Sequence, residues 1–286
     1  MSKDISTLVD DIYEKISVLS GGTAIEVSEK ELDKFAVSMK QALKQWLTPA
    51  ARDSGTLRMS NIGKPDRQLW YEINAAKESE AVPPTTQIKF LYGHLLEEVQ
   101  LFLCTLAGHD VSDKQKEVEL GGVKGHMDCK INGEVVDIKT SSNYAFKKFK
   151  LGTLSGDDPF GYLAQLSGYE QAENTNKGGF LVMNKETGEL VLYRPDDLDK
   201  INAMERIKQL RKVVKKKNPP GRCYDPVKEG LSGNYKLPTP CKYCVHKFQC
   251  HADANEGRGL RLFRYSNGLT YLTQVEKEPQ VEEVLA

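Results

Sequence analysis

The stretch GHMDCKINGEVVDIKT, residues 125–140, constrains this chain more than any other. Asn-Gly between two runs of strand-forming residues is a strong hairpin signal, because a two-residue type I′ turn needs left-handed backbone at both positions. With Asn132 and Gly133 in the turn, Ile131 pairs with Glu134, Lys130 with Val135, Cys129 with Val136 and Asp128 with Asp137. Side chains directly opposite each other in such a pair stand about 5 Å apart. Strand alternation then sorts the residues by face. Cys129, Ile131, Val136 and Ile138 share an apolar face that must meet a core. Asp128, Asp137 and Lys139 share the other. Facing carboxylates repel unless something cationic stands between them. Lys139 offsets part of the repulsion. A hard cation such as Mg²⁺ or Mn²⁺, which prefers oxygen ligands, offsets the rest. The alternative is a solvated hairpin face whose acids happen to align.

A long amphipathic helix is expected from Gln87 to Leu106, with Phe90, Leu91, Leu95, Val99, Phe102, Leu103 and Leu106 on its apolar stripe. Its GHLLEE segment can present Glu97 as a third carboxylate, with His94 on a nearby face. Glu98 is the competitor, about 100° away around the helix, and an ordinary solvated helix face is the alternative to both. Upstream, IYEKISVL and ELDKFAVSMKQALKQWL carry helical spacing, and Ser28 with Glu31 can form a capping box. A short helix is expected within residues 60–72, where Trp70 and Tyr71 either pack or, with Lys64 and Arg67, touch nucleic acid. AKESEAVPPTT follows as a loop. KEVEL (116–120), GHMDCKI (125–131), EVVDIKT (134–140), GGFLVMN (178–184) and ELVLYR (189–194) read as strands. After the third of these come a loop and a helix over 160–173. LRLFRYSNGLTYLTQV reads as a hairpin about Asn267–Gly268.

Four of the six cysteines fall in one region, where Cys223, Cys241, Cys244 and Cys250 are spaced C-x17-C-x2-C-x5-C. The N-terminal residues are acidic and mixed, without a signal-peptide core, so a metal or cluster is favoured over disulfides. Thiolates suit zinc or iron–sulfur, and His246 and His251 leave a mixed Cys/His zinc site open. Cys104 and Cys129 read as buried small hydrophobes. No apolar run reaches the roughly 20 residues that span a bilayer, so no membrane partner and a cytoplasmic location are expected. With 286 residues, 39% of them hydrophobic, the chain can bury one substantial core and an appended module. The formal charge is zero, but Asn202 to Arg222 holds eight Lys or Arg and one acid. That basic helix either tracks phosphates or simply solubilises a face.

Taken together, Gly93-x3-Glu97, Gly125-His126-Met127-Asp128, Asp137-Ile138-Lys139 and Gln165-x3-Tyr169 resemble the PD-(D/E)xK nuclease superfamily. The similarity is to its RecB-like exonuclease branch, which includes CRISPR-associated and phage members, and covers residues 57–255. The resemblance implies an α/β, restriction-endonuclease-like core with a mixed central sheet flanked by helices. It implies Mg²⁺ or Mn²⁺ held by Glu97, Asp128, Asp137 and the backbone carbonyl of Ile138, with Lys139 as the motif lysine. Gln165 and Tyr169 would lie on a helix beside the site and contact DNA or the lysine. Iron–sulfur members carry a C-terminal C-x2-C-x5-C run, so Cys241, Cys244 and Cys250 imply a structural [4Fe-4S] cluster, with Zn²⁺ the alternative. The family's upstream cysteine is missing at Lys64-Pro65-Asp66-Arg67, which leaves Cys223 or Cys104 as the fourth ligand.

The implied activity is that of a metal-dependent DNA exonuclease on single strands or duplex ends. The alternatives are a structure-specific endonuclease of the same superfamily and a non-catalytic DNA-binding or assembly protein. The chain has no helicase motifs, so a helicase or recombination partner would be separate, in a phage or bacterial host cytoplasm. The expected organisation is an N-terminal helical region (1–56), a nuclease core (57–200), a basic helix with the cysteine region (201–255), and a hairpin with an acidic tail (256–286).

Overall fold

The computed structural model describes residues 3–48, 55–75 and 83–284. The longer helices are α1 (Leu8–Ser17), α2 (Glu29–Leu47), α3 (Asp66–Asn74), α4 (Pro84–Leu106), α5 (Asn143–Lys150), α6 (Tyr162–Ala172) and α7 (Ala203–Val214). Two compact units emerge: Met1–Gly63 with Ala81–Lys208, and Lys64–Glu80 with Gln209–Ala286.

The first unit is built on strands β1 (Val111–Ser112), β2 (Lys116–Leu120), β3 (Val123–Met127), β4 (Cys129–Ile131), β5 (Glu134–Ser141), β6 (Gly178–Asn184) and β7 (Leu190–Tyr193). Five of them form a sheet in the order β1-β4-β5-β6-β7, with β5 and β6 parallel and the other neighbours antiparallel. This is a mixed central sheet flanked by helices, the expected α/β class. On one face Leu8 and Ile12 of α1 and Leu101 and Cys104 of α4 pack on Cys129, Ile131, Val136, Ile138, Leu181 and Met183. On the other face Phe149 of α5 meets Phe180 edge-on at 5.6 Å. Burial on both faces explains why GGFLVMN is one continuous run, buried at every position.

The local chemistry follows the sequence closely in places. Ser28 and Glu31 form the capping box of α2, with Glu31 N donating to Ser28 Oγ at 3.3 Å and Ser28 N to Glu31 Oε2 at 3.2 Å. Phe35 of α2 lies 4.7 Å from Phe102 of α4. The hairpin register Cys129↔Val136, Lys130↔Val135 and Ile131↔Glu134 is as expected, with Asn132 and Gly133 at φ 51° and 85°.

Elsewhere the structure corrects the reading. Residues 125–131 are not one strand: the ladder breaks at Asp128, and β3 pairs with β2 in a separate ribbon while β4 joins the central sheet. The deepest side chains of α4 are Gln100, Leu101 and Cys104, whereas Phe90 is 50% exposed. The helix starts earlier than expected, so residues 84–86 of the supposed loop belong to it, and residues 76–82 lie outside the described residues. Helix α5 stands where a loop was expected. Ser142 caps it, and Phe146 and Phe149, three apart, bury its one apolar edge. Helix α7 stops at Val214, so Lys215, Lys216 and Lys217 lie past its end. It buries Ala203, Ile207, Leu210 and Val213 at helical spacing.

The second unit holds an antiparallel sheet of short strands, β8 (Val227–Lys228), β9 (Tyr235–Lys236), β10 (Arg261–Tyr265), β11 (Gly268–Gln274) and β12 (Glu283–Val284), in the order β12-β10-β11-β9-β8. The β10–β11 register pairs Tyr265 with Gly268, so the turn residues are Ser266 and Asn267, one position earlier than expected. The acidic segment is structural: Arg261 pairs with Glu278 and Glu283, each at 2.6 Å. The core here is small, built on Leu237, Ala254, Leu260 and Leu262.

Candidate metal centres

In the first unit, β5 carries Asp137 and Lys139 on the face away from Ile138. The break in the ladder at Asp128 turns that carboxylate onto the same strand, where Asp128 Oδ2 accepts from Ile138 N at 2.8 Å. A regular pair would have left the carboxylate beside Asp137 without this anchor. Asp137 is 1% exposed at its side chain, and Lys139 Nζ stands 2.5 Å from its Oδ2. Neither Asp137 oxygen has a well-directed hydrogen bond, and Oδ1 has no partner at all. Asp137 is therefore interior, while Asp128 and Lys139 are half-buried.

The charges feel one another. Burial, then Asp137, then Glu97 raise the Asp128 carboxyl well above the ordinary range, against Lys139. Burial and the neighbouring Glu98 push Glu97 up to about 7, against Lys139 and the hydrogen bond from Gln115. Burial works against the Lys139 ammonium, but Asp137 and Asp128 outweigh it and hold the lysine above its usual value. Glu97 rather than Glu98 lines the cavity shared with Ile138 and Lys139, while Glu98 turns to Lys114, 3.6 Å from its Oε2. Glu97 Oε1 accepts from Gln115 Nε2 at 2.9 Å.

Gln165 Nε2 donates to Tyr169 OH at 3.0 Å, and Tyr169 OH donates to His126 O at 2.7 Å. Tyr169 is buried and braces β3 just ahead of Asp128. Gly125 and Gly168 permit that approach, since a Cβ at either would collide with Met59. The ring over the lysine is that of Tyr162, 5.3 Å from Lys139 Nζ. Tyr162 was not singled out from the sequence, although it precedes Gln165 by one turn on the same helix. Gln100 was also missed. It follows Glu97 by three residues, is fully buried, and donates from Nε2 to Lys139 O at 3.3 Å.

Among the described residues no three His, Cys, Asp or Glu side chains stand in a ready-made metal-binding group. The donor chemistry still fits a hard divalent cation. Three carboxylates and a backbone carbonyl are oxygen ligands, and a buried carboxylate oxygen without a partner is an unmet demand for a cation.

In the second unit, Cys223, Cys241, Cys244 and Cys250 line one cavity together with Arg67, Tyr71, His246 and His251. Burial and then the other three thiols push Cys241 up to about 12. Burial also raises Cys244 and Cys223, although the backbone N–H groups of Gln68 and Arg67, at the start of α3, favour the Cys223 thiolate. The segment that lacks the expected cysteine instead supplies Arg67, whose Nε donates to Cys250 Sγ at 3.1 Å and whose Nη1 donates to Pro220 O at 2.5 Å. Tyr71 stacks on His246 with ring centroids 5.6 Å apart, and Trp70 Nε1 donates to Lys216 O at 2.8 Å, so both aromatics have packing roles. Burial and the Arg222 charge lower His251 to about 4, and its buried Nδ1 has no partner. Cys104 and Cys129 instead sit in the apolar core of the first unit. Four sulfurs lining one cavity are a soft donor set suited to Zn²⁺ or an iron–sulfur cluster.

No family model matches the chain, and no curated protein matches it. Among solved structures it is similar to SSO0001, at 16% identity over 74% of this chain and 93% of that one, with a TM-score of 0.40. That likeness is too loose to define a shared fold.

Proposed function

We propose that this chain is a Mg²⁺- or Mn²⁺-dependent deoxyribonuclease, a RecB-like exonuclease of the PD-(D/E)xK superfamily. The observation that carries the reading is the buried Asp137 carboxylate, its Oδ1 without a partner, coupled to Asp128 and Glu97 beside Lys139. Glu97, Asp128, Asp137 and the carbonyl of Ile138 would hold the cation. When bound, it supplies an acidified water and positive charge against the phosphate oxygens.

The residues divide the remaining work. Lys139 keeps its proton, because Asp137 and Asp128 favour the ammonium. It therefore acts as a fixed positive charge and hydrogen-bond donor toward the phosphate or the attacking water, not as a base. Tyr162 and Asp137 hold its ammonium in place, and Gln100 ties its backbone. Ile138 N–H fixes Asp128 Oδ2, leaving the rest of that carboxylate for a ligand. Tyr169 and Gln165 position β3 and with it Asp128.

For the second unit we propose a structural [4Fe-4S] cluster on Cys223, Cys241, Cys244 and Cys250, with Zn²⁺ the other species that this donor set suits. Iron, zinc and acid-labile sulfide assays on anaerobically purified protein separate them. Among the described residues no helix is long and apolar enough to cross a membrane. Work on DNA in a cytoplasm, beside a separate helicase or recombination partner, belongs to the same proposal.

The test is digestion of 5′- and 3′-labelled linear DNA with Mg²⁺, Mn²⁺ or EDTA, beside closed circles. Metal-dependent loss of linear DNA alone is expected. Cutting of circles would make it an endonuclease, and no cutting by cluster-loaded protein would make it a binding or assembly protein.

A further inference from the structure

Where the chain passes from β1 to β2 it carries one residue more than the strands it faces. Ser112 pairs with Lys130 and Lys116 with Met127, so Asp113, Lys114 and Gln115 stand opposite Asp128 and Cys129 alone. This is a β-bulge, and it lies directly across from the break that sets the Asp128 carboxylate. Asp113 and Gln115 are both left-handed, at φ 51° and 52°. Aspartate tolerates that backbone, but glutamine is not among the residues that favour it. The backbone therefore does not ask for glutamine at position 115, and glycine would suit it better.

Two contacts show what the glutamine does. Gln115 N donates to Asp128 O at 2.9 Å, and Gln115 Nε2 donates to Glu97 Oε1 at 2.9 Å. The residue before it makes a parallel reach, with Lys114 Nζ 3.6 Å from Glu98 Oε2. One bulge residue thus holds the main chain of one candidate metal ligand and the side chain of another. The side-chain contact also completes a pattern. In each carboxylate one oxygen is engaged by the chain itself: Glu97 Oε1 by Gln115, Asp128 Oδ2 by Ile138 N, and Asp137 Oδ2 by Lys139. Among the described residues the other oxygen of each accepts no hydrogen bond.

We propose that Gln115 is a specificity-determining residue of the metal centre: by occupying one oxygen of Glu97 it limits that carboxylate to a single bond to the ion, and so favours Mg²⁺ or Mn²⁺ over Ca²⁺. The inference rests on the proposed centre and adds which group makes it select among ions. One oxygen from each carboxylate, with the Ile138 carbonyl, leaves an octahedral ion room for water and substrate oxygens. Ca²⁺ takes roughly six to eight oxygens and readily accepts both of a carboxylate. Ile138 N and Lys139 belong to β5 in the middle of the sheet, whereas Gln115 reaches Glu97 from an exposed bulge. Its amide is the block that can be removed while the sheet stays intact.

Aqueous Mn²⁺ loses its paramagnetic resonance signal on binding. The test therefore titrates the full chain with Mn²⁺ and displaces it with Ca²⁺, without DNA. Only binding that is absent from Asp137→Asn is counted, which sets the thiols aside. The wild type should hold Mn²⁺ more tightly than Ca²⁺. Gln115→Gly keeps the backbone donor to Asp128 O and suits the left-handed position, so it should melt close to wild type. Its preference for Mn²⁺ over Ca²⁺ should shrink by about tenfold or more. Lys114→Ala removes the parallel reach but leaves the amide, and its preference should stay that of wild type.

An unchanged or larger preference in Gln115→Gly would overturn the inference, as would a wild type that holds Ca²⁺ as tightly as Mn²⁺. A shift of equal size in Lys114→Ala would credit the bulge rather than the amide and overturn it too. A wild type without Mn²⁺ binding overturns the centre and the inference together. If the wild type selects Mn²⁺ through Gln115 but cuts no DNA, the nuclease reading fails alone. If the wild type cuts linear DNA with Mn²⁺ while Gln115→Gly keeps the wild-type preference, the role of Gln115 fails alone.

Discussion

The two units each gather four groups suited to a metal, and they place them by opposite means. In the first, a strand and a long helix position the carboxylates, and Lys139 brings a counter-charge into the interior. In the second, the thiols come from loops and one-turn helices around a small core, with Arg67 as the cation in hydrogen-bond contact with a sulfur, that of Cys250. The carboxylate site carries part of its own neutralisation, so the first unit can fold without a metal. The thiol site lies beside a small core, so on the proposed reading its ion and its fold form together.

The largest effect that could break this contrast comes from the thiol side. Cys241→Ser should lose the bound ion and unfold the second unit, a loss on the order of 10 kcal/mol if the site behaves as structural metal sites do. Amide hydrogen exchange reads it: protection in β10 and β11 should vanish while that in β5 and β6 stays. Retained protection in both would make the thiol site dispensable and the contrast empty.

Next is Asp137→Asn, which should lower metal-dependent cleavage by about 10²- to 10³-fold while β5 and β6 remain protected. Cleavage at the wild-type rate would sink the proposed centre.

A smaller effect sharpens the electrostatic half. The folded protein holds Glu97 at about 7 against an ordinary 4.5. A raised carboxyl pKa contributes stability that is fully present below about 4.5 and is lost as pH rises through about 7. In EDTA, wild type should therefore lose stability relative to Glu97→Gln across that window. With Mn²⁺ the trend should reverse, because the ion takes the ionised form, so its stabilisation of wild type grows over the same range. A wild-type minus variant melting difference that is flat with pH would remove Glu97 from the coupled group.

The smallest effect distinguishes the fourth thiol. Cys104→Ala should cost about 1–2 kcal/mol for a small cavity and leave the metal content of the second unit unchanged. Cys223→Ala should lower that content. The reverse pattern would move the ligand to Cys104.

Much of the carboxylate site was legible because it is local. The Asn132-Gly133 turn sets the register, and the register sets which side chains share a face. What the alternation could not reveal was the break at Asp128, which depends on β3 leaving to pair with β2. Burial of the acid face depends on α5 and α6 packing on it. Helix α5 escaped notice because its apolar edge is two phenylalanines among lysines. Gln100 and Tyr162 were hidden for a related reason: a glutamine in an apolar stripe and a tyrosine at a helix start look ordinary until Lys139 is placed against them. Arg67 lies far from Cys250 in sequence, so no spacing rule could join them.

The second unit is discontinuous, drawing on Lys64–Glu80 as well as Gln209–Ala286. During synthesis the ribosome therefore makes α3, with Arg67 and the amides that face Cys223, long before the thiols they serve. At roughly 5–20 residues per second, that segment must wait through the whole of the central sheet for its partners. Assembly of the thiol centre is thus a late event by topology alone, reached after the carboxylate site has been translated. If the thiol centre holds the ion proposed for it, a cell short of that ion would accumulate chains with a finished first unit and an open second one.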